Sequence, residues 1–359
     1  MSDKKQTSRR DVLKAAGGFI AGAVVAGAIA GGYEMSKPPA PSMNQTETMT
    51  QTVSAATGPP KYTFYYVVHA PPTGSFWAVQ NKGLQDAAAA LNVNAVYAGA
   101  TTDGDVSQQL SILEATIARK PDGIMCTISN VETLDAPLRQ AIAAGIPVVA
   151  TNGIDPRPAA TRIPYLVYIG ENSYEGGVVS SSIALAAFQK QFGRPPARAV
   201  FVNHAPTLYA LTERWSGVSD TCTAAGVKVV DQLPTVYDPT KTSSDINAYL
   251  TAHPDTEYVA AGTAEVGVWA ANVLATLNMQ NQSVVSDVDT SPDAMQYIIS
   301  GKIVDTVDQQ PYLQAYYGLM ALYLYKLALF QTLDVYTGPN SITQANAQSI
   351  VNLVQQGYR

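Results

Sequence analysis

The stretch that decides the fold is residues 61–99, KYTFYYVVHAPPTGSFWAVQNKGLQDAAAALNVNAVYAG. Residues 63–69 are rich in aromatic and β-branched side chains, which is typical of a buried strand. Residues 76–91 have the apolar period of a helix, and residues 94–97 again have the composition of a strand. A strand, a helix and a second strand at this spacing predict a parallel unit with a right-handed crossover.

The same alternation continues through most of the chain. Further strands are predicted at residues 123–128, 147–151, 165–169, 199–203, 227–233, 258–262, 284–288 and 303–307. Helices are predicted at residues 106–119, 132–144, 173–192, 209–225, 242–252, 265–277, 292–300 and 309–331. Ten strands divide more naturally into two sheets than into one. The predicted fold class is therefore α/β, with two doubly wound parallel-sheet lobes and a hinge that the chain crosses three times.

The N-terminal segment has the order of an export signal. Arg9 and Arg10 precede a weakly hydrophobic run rich in Gly and Ala, which ends in small residues at 28–30. This order predicts a twin-arginine signal over residues 1–32. Residues 33–60, rich in Pro, Ser, Thr and Gln, are predicted to be a flexible tether. We expect a periplasmic or cell-surface protein, and both cleavage of the signal and its retention as a membrane anchor stay open.

Composition and motifs exclude several classes of protein. The net charge is −6 and there is no basic cluster beyond the signal, which argues against nucleic acid as a partner. The chain lacks G-x-G-x-x-G, P-loop, H-E-x-x-H and G-x-S-x-G motifs and any Cys/His ligand spacing. We therefore expect no catalytic residues, no metal and no cofactor.

Two cysteines are present, and neither follows the signal, where a thiol would allow lipid attachment. Cys126 lies in a predicted buried strand, and Cys222 lies on a predicted helix about 100 residues later. We expect two separate buried thiols rather than a disulfide.

Ligands of such sheets lie beyond the carboxyl ends of the strands, so the residues that follow each strand are candidates for a site. They are His69, Asn152, Asn203, His204, Tyr237, Asp238, Thr263, Asp289, Asp308 and Gln309. Phe76 and Trp77 open the first helix. A mostly neutral polar lining with flat aromatic faces suits a polyhydroxylated ligand, whose C–H faces stack on rings and whose hydroxyls need partners.

Five motifs in order resemble the ribose-binding-like branch of the periplasmic sugar-binding proteins of ABC importers, over residues 61–337. They are SFW at 75–77 with Gly83, AGIPVV at 144–149, TAHPD at 251–255, DTSPD at 289–293 and QQP at 309–311. The resemblance implies the type I periplasmic binding protein fold. It implies an N-terminal lobe of residues 61–170 plus 310–337 and a C-terminal lobe of residues 171–309 plus 338–359.

The resemblance also implies roles for individual residues. Phe76 and Trp77 stand where the family's aromatics sandwich a pyranose ring, Asp289 where an Asp binds sugar hydroxyls, and Gln309 where a hinge Gln contacts ligand. The implied ligand-binding set is Phe76, Trp77, Asn152, His204, Thr212, Tyr237, Thr263, Asp289 and Gln309.

Several positions depart from the family pattern. Asn152 and Gly153 replace an Asp-Arg pair, and Thr212 replaces a contact Arg. Thr263 and Ala264 replace Asn-Asp, and a Gly at 74 replaces an Asn. Arg214 is expected to pack or to pair with a neighbouring acid rather than to contact ligand. The resulting pocket is expected to be less charged, which argues against ribose itself and leaves the identity of the sugar or polyol open.

The predicted function is that of an extracytoplasmic receptor. It captures a small neutral polyhydroxylated solute in a cleft between the lobes, closes on it, and delivers it to an ABC permease in the membrane. We expect a monomer. Two alternatives stay open: a ligand sensor for a membrane signalling partner, and an enzyme exported by the twin-arginine route.

Overall fold

The computed structural model describes residues 58–359, so the predicted signal and nearly all of the predicted tether lie outside the described residues. The strands are β1 Thr63–Val68, β2 Asn94–Gly99, β3 Gly123–Cys126, β4 Val148–Thr151, β5 Tyr168–Glu171, β6 Arg198–Asn203, β7 Val229–Pro234, β8 Thr256–Ala261, β9 Val284–Val288, β10 Asp305–Asp308, β11 Val335–Gly338 and β12 Asn340–Thr343. The helices are α1 Ser75–Leu91, α2 Val106–Ala118, α3 Val131–Ala143, α4 Ser173–Phe192, α5 Tyr209–Ala224, α6 Pro239–Ala252, α7 Ala264–Thr276, α8 Pro292–Ile299, α9 Pro311–Ala328 and α10 Ala347–Gln355.

The strands form two six-stranded sheets, one in each lobe. The first has the order β11-β5-β4-β3-β1-β2 and the second the order β12-β10-β9-β8-β6-β7. Among the described strands, β10 and β12 pair antiparallel and the other pairs are parallel. The predicted fold class, two doubly wound α/β lobes, is confirmed.

Strands β11 and β12 and helix α10 were not predicted from the sequence. Each of the two strands has only four residues and lies at the edge of its sheet, so neither shows the buried apolar run of a central strand. The chain passes from the first sheet to the second after β5, returns after β10, and passes again between β11 and β12.

Helices cover both faces of each sheet, and the central strands are consequently buried on both sides. Every residue of β3, β4 and β9 is buried. In the second lobe, two glycines allow α4 and α5 to approach closely. A Cβ on Gly177 would lie 2.2 Å from the carbonyl oxygen of Arg214, and one on Gly217 would lie 2.2 Å from that of Tyr174. Side chains larger than hydrogen would push these helices apart.

Both cysteines are buried and free, as predicted. Burial raises the pKa of each thiol to about 12, so both stay protonated at neutral pH. Within residues 58–359, no helix combines the length and the apolar character needed to cross a bilayer.

Candidate functional site

The carboxyl ends of strands from both sheets meet at one cleft between the lobes. A cavity of about 280 Å³, here called the inner cavity, lies in this cleft. Eight of the nine residues predicted to bind ligand line it: Phe76, Trp77, Asn152, His204, Tyr237, Thr263, Asp289 and Gln309. The rule that ligands lie beyond the strand ends thus selected residues that are far apart in the chain and that the fold places around one cavity.

Thr212 is the exception. It lies on α5 and does not line the inner cavity, although its neighbours Leu211 and Arg214 do. Its hydroxyl donates to the carbonyl oxygen of Leu208, 3.4 Å away on the preceding turn. The family that this sequence resembles has an arginine at this position. A threonine side chain is too short to extend into the cavity as an arginine would.

Asp289 is the centre of a hydrogen-bond network on the second lobe. Gln309 donates through Nε2 to Asp289 Oδ1 at 2.6 Å, and the hydroxyl of Thr263 lies 3.1 Å from Oδ2. Asn152 of the first lobe extends the network, with its Nδ2 3.4 Å from Gln309 Oε1. Burial raises the pKa of Asp289 to about 7, with nearby carboxylates adding to the effect of burial. The hydrogen bonds from the Gln309 amide and the Thr263 hydroxyl hold the carboxyl group of Asp289 in place.

The backbone at the strand ends turns sharply to present these side chains. Asn152 and Asp289 have φ of 58° and 78°, in the left-handed region where Asn and Asp are the best-tolerated residues after glycine. The N-cap of α8 is Ser291, whose Oγ accepts a hydrogen bond from the amide of Ala294 at 3.1 Å. Asp289 is thus not the N-cap of α8, and its side chain lies in the network at the cavity.

Each lobe contributes a group of aromatic rings to the cleft. In the first lobe, Trp77 meets Phe76 and His69 edge to face, with ring centroids 4.8 and 5.0 Å apart. In the second lobe, Tyr237 lies 5.4 Å from the ring of His204 and 5.7 Å from that of Trp269. The inner cavity therefore has ring systems on both of its sides.

The two histidines of the inner cavity are neutral at physiological pH. Burial lowers the pKa of His69 to about 4 and that of His204 to about 3. The Nδ1 of His69 lies 2.9 Å from the hydroxyl of Thr127, and the imidazole ring meets that of Trp77 edge to face. Neutral imidazoles can accept or donate one hydrogen bond at each nitrogen, according to the tautomer.

Two carboxylates that the sequence analysis missed also line the inner cavity. Asp103 lies in the turn after β2, and Glu265 lies in the first turn of α7. Burial raises the pKa of Asp103 to about 6. Asp103 lies four residues after the end of β2, in the turn before α2, so a search limited to the residues directly after each strand does not reach it. Glu265 comes two residues after the candidate Thr263, on the helix rather than at the strand end.

Glu265 also connects the two lobes. Its Oε1 accepts a hydrogen bond from the hydroxyl of Ser75, which opens helix α1 of the first lobe. Its Oε2 lies 3.3 Å from the hydroxyl of Thr263. The structure is therefore a conformation in which the lobes touch across the cleft.

Arg214 lines the inner cavity but is already paired. Its guanidinium lies 2.8 Å from the carboxylate of Glu171 and donates to the carbonyl oxygen of Gly262 at 2.8 Å. The sequence predicted that Arg214 packs or pairs with a neighbouring acid; the acid it pairs with is Glu171 at the end of β5, 43 residues away in the chain. The charged groups in the lining of the inner cavity are Arg214 and three carboxyl groups, those of Asp103, Glu265 and Asp289.

Among residues 58–359, no group of three or more His, Cys, Asp or Glu side chains is placed to hold a metal ion. The described lining offers hydrogen-bond acceptors, amide and hydroxyl donors and aromatic faces. Such a set binds hydroxyl groups and the apolar faces of rings.

Comparison with known proteins gives a consistent match. A profile of the periplasmic binding protein domain matches residues 64–327. The xylose/arabinose-binding protein XylF of Sulfolobus acidocaldarius is 28% identical over 301 residues, which cover 80% of this chain and 73% of that protein. The D-ribose/D-allose-binding protein of Pseudomonas aeruginosa is 22% identical over 222 residues, 62% of this chain and 68% of the other.

A solved structure shows the same fold. The carbohydrate transporter of Acidothermus cellulolyticus, in complex with myo-inositol, superposes with a TM-score of 0.73 at 25% sequence identity. The superposition covers 84% of this chain and 100% of the other.

Proposed function

This chain belongs to the periplasmic binding protein family, and we propose that it is an extracytoplasmic receptor that binds a sugar or polyol and delivers it to an ABC importer. Members of this family are binding proteins. The relatives described above are named for xylose, arabinose, ribose and allose binding, and the solved structure contains myo-inositol. These ligands share one chemistry, a compact ring with several hydroxyl groups.

The observation that supports the proposal best is the composition of the inner cavity. Asp289 offers a carboxylate already oriented by Gln309, and Phe76 and Trp77 offer aromatic faces on the opposite lobe. A buried hydroxyl needs a partner, and an amide or carboxylate held in position provides one at low entropic cost. A cavity of 280 Å³ suits a ligand of about one sugar ring.

We propose that ligand binding and lobe closure are coupled. A solute in the inner cavity contacts groups from both lobes, so the closed conformation gains interactions that an open one lacks. The three chain segments that join the sheets are then the hinge. Closure brings surfaces of both lobes into one face, which a membrane permease can distinguish from the open form.

A thermal-shift screen with pentoses, hexoses, polyols and cyclitols tests the proposal. Ligand at a hundred times its Kd should stabilise the protein by about 2.7 kcal/mol. Calorimetry should give a stoichiometry of one, and chromatography should recover the solute unchanged. A chemically altered solute would contradict the receptor proposal and indicate an enzyme. If no compound of the screen raises the melting temperature, the proposal of a sugar or polyol ligand is contradicted.

A further inference from the structure

The cleft continues beyond the inner cavity. An outer cavity of about 340 Å³ lies beside it, lined by residues of α7 and α8 and by Ser75 of the first lobe. Ser75 and Glu265 line both cavities. Because their side chains are hydrogen-bonded to each other, this bond stands between the inner and the outer cavity.

Aromatic rings run from one cavity to the other along the second lobe. His204 and Tyr237 line the inner cavity, and Trp269 lines the outer one. The ring centroids of Tyr237 lie 5.4 Å from His204 and 5.7 Å from Trp269, so the three side chains form a continuous row. Tyr237 is 41% exposed and Trp269 is half-buried, which leaves ring surface available to a ligand.

The outer cavity also repeats the polar chemistry of the inner one. Asp293, exposed in the first turn of α8, contributes a carboxylate, and Glu265 contributes another on the shared wall. A ligand hydroxyl both donates and accepts, so it can replace either partner of the bond between Ser75 and Glu265. An aromatic face with acceptors beside it is thus present twice, once in each cavity.

We propose that the cleft binds two linked sugar rings, one in the inner cavity and the second against Trp269 in the outer cavity. The ligand class is then a disaccharide or a short glycoside rather than a free monosaccharide. This inference rests on the proposed function. The inner cavity, of about 280 Å³, has room for one ring, and the outer cavity, of about 340 Å³, adds room for a second.

Calorimetry on matched sugars tests the proposal. The probes are D-xylose with xylobiose, L-arabinose with arabinobiose, and D-glucose with cellobiose and with maltose. At least one disaccharide should bind ten times more tightly than its own monosaccharide, because it gains the stacking surface and the acceptors of the outer cavity.

Three variants locate the effect. Trp269→Ala should weaken disaccharide binding at least tenfold and monosaccharide binding less than twofold. Asp293→Asn, at an exposed position in the first turn of α8, should weaken disaccharide binding about threefold. Glu132→Gln is the matched control, since Glu132 is an exposed acid in the first turn of α3, and it should change neither affinity. If Trp269→Ala does not fold by circular dichroism, Asp293→Asn decides.

Each possible result of these binding measurements either supports or overturns the two-ring proposal. If monosaccharides bind and no disaccharide binds more tightly than its monosaccharide, the two-ring proposal is overturned while the proposed function stands. The two-ring proposal is also overturned if the disaccharide still binds ten times more tightly than its monosaccharide in both the Trp269→Ala and the Asp293→Asn variants. If no sugar or polyol binds at all, the proposed function fails first, and this inference fails with it.

Discussion

The guanidinium of Arg214 lies 2.8 Å from the carboxylate of Glu171, and their side chains are 4% and 0% exposed. Glu171 ends β5, where the chain leaves the first sheet, and Arg214 lies on α5 of the second lobe. Burial raises the pKa of Glu171, while the charge of Arg214 acts in the opposite direction. This ion pair fixes the end of β5 to the second lobe.

Breaking this pair should destabilise the protein strongly. Glu171→Gln leaves a buried guanidinium without its counter-charge, and we expect the free energy of unfolding to fall by about 3–5 kcal/mol. Urea unfolding measures it. The double change Glu171→Gln/Arg214→Met should recover much of the loss. Lys241→Gln, which removes an exposed pair with Asp245, should cost less than about 1 kcal/mol. If Glu171→Gln and Lys241→Gln lower the free energy of unfolding by the same amount, burial of the ion pair does not determine its contribution to stability.

Asp289→Asn should weaken binding of the solute. The change removes a charged acceptor that Gln309 and Thr263 hold in place. We expect a loss of roughly 1.5–3 kcal/mol, about ten- to a hundredfold in Kd by calorimetry. Since the pKa of Asp289 is raised to about 7, wild-type affinity should also fall between pH 8 and pH 5 as the carboxylate is protonated. An affinity unchanged by the substitution would remove Asp289 from the binding site.

Asp305 should make stability depend on pH. It is fully buried, Ser341 donates to its Oδ1, and burial raises its pKa from 3.8 to about 7. Between these two values the folded state binds a proton that the unfolded state has lost. The contribution of Asp305 to stability therefore falls as the pH rises through that window, by roughly 1.4 kcal/mol per pH unit.

Asp305→Asn removes the titrating group and serves as the reference. Urea unfolding of both proteins at several pH values from 4.5 to 8 should show the variant gaining stability relative to wild type as the pH rises. The pKa shift assigned to Asp305 is wrong if the difference between the two proteins stays constant across this range.

Phe76→Ala should weaken binding by removing one ring of the first lobe. Phe76 is half-buried and packs edge to face on Trp77. We expect an increase in Kd of three- to tenfold, since an aromatic contact contributes about 0.5–1.5 kcal/mol beyond the area it buries. Tyr317→Ala is the control, because Tyr317 is a 41% exposed ring on α9 that does not line the inner cavity. Equal affinities for Phe76→Ala and Tyr317→Ala would contradict a stacking role.

Ser75→Ala should favour the open conformation. It removes the hydrogen bond from Ser75 to Glu265 across the cleft, and one such bond to a carboxylate is worth roughly 1.5–3 kcal/mol. Small-angle scattering of the ligand-free variant should give a larger radius of gyration than that of wild type. Saturating ligand should make both proteins equally compact. Identical ligand-free radii would mean that this bond does not hold the lobes together.

Much of the site follows from the order of strands and helices along the chain. Asn152, Asp289 and Gln309 are polar residues directly after predicted strands, and all three line the inner cavity. The position of a strand end is local information, since it depends on the period of the side chains over a few residues.

Other parts of the site have no local signal. Glu265 and Ser75 are 190 residues apart and meet only because the lobes lie against each other. Trp269 has the pattern of any apolar residue on a packed helix, and the outer cavity it lines exists only between α7, α8 and the first lobe. The partner of Arg214 is likewise set by the end of a distant strand rather than by its neighbours in sequence.

The sequence by itself determined the two-lobed α/β fold and the edge of each sheet where ligand would lie, because side-chain period and strand-end polarity are read over short windows. Only the tertiary structure decided the edge strands β11 and β12, the hydrogen bond between the lobes, and the outer cavity beside the inner one. The physical reason is the same in each case. Hydrogen bonds, ion pairs and cavities between distant segments depend on how two lobes pack, and no short stretch of sequence contains that geometry.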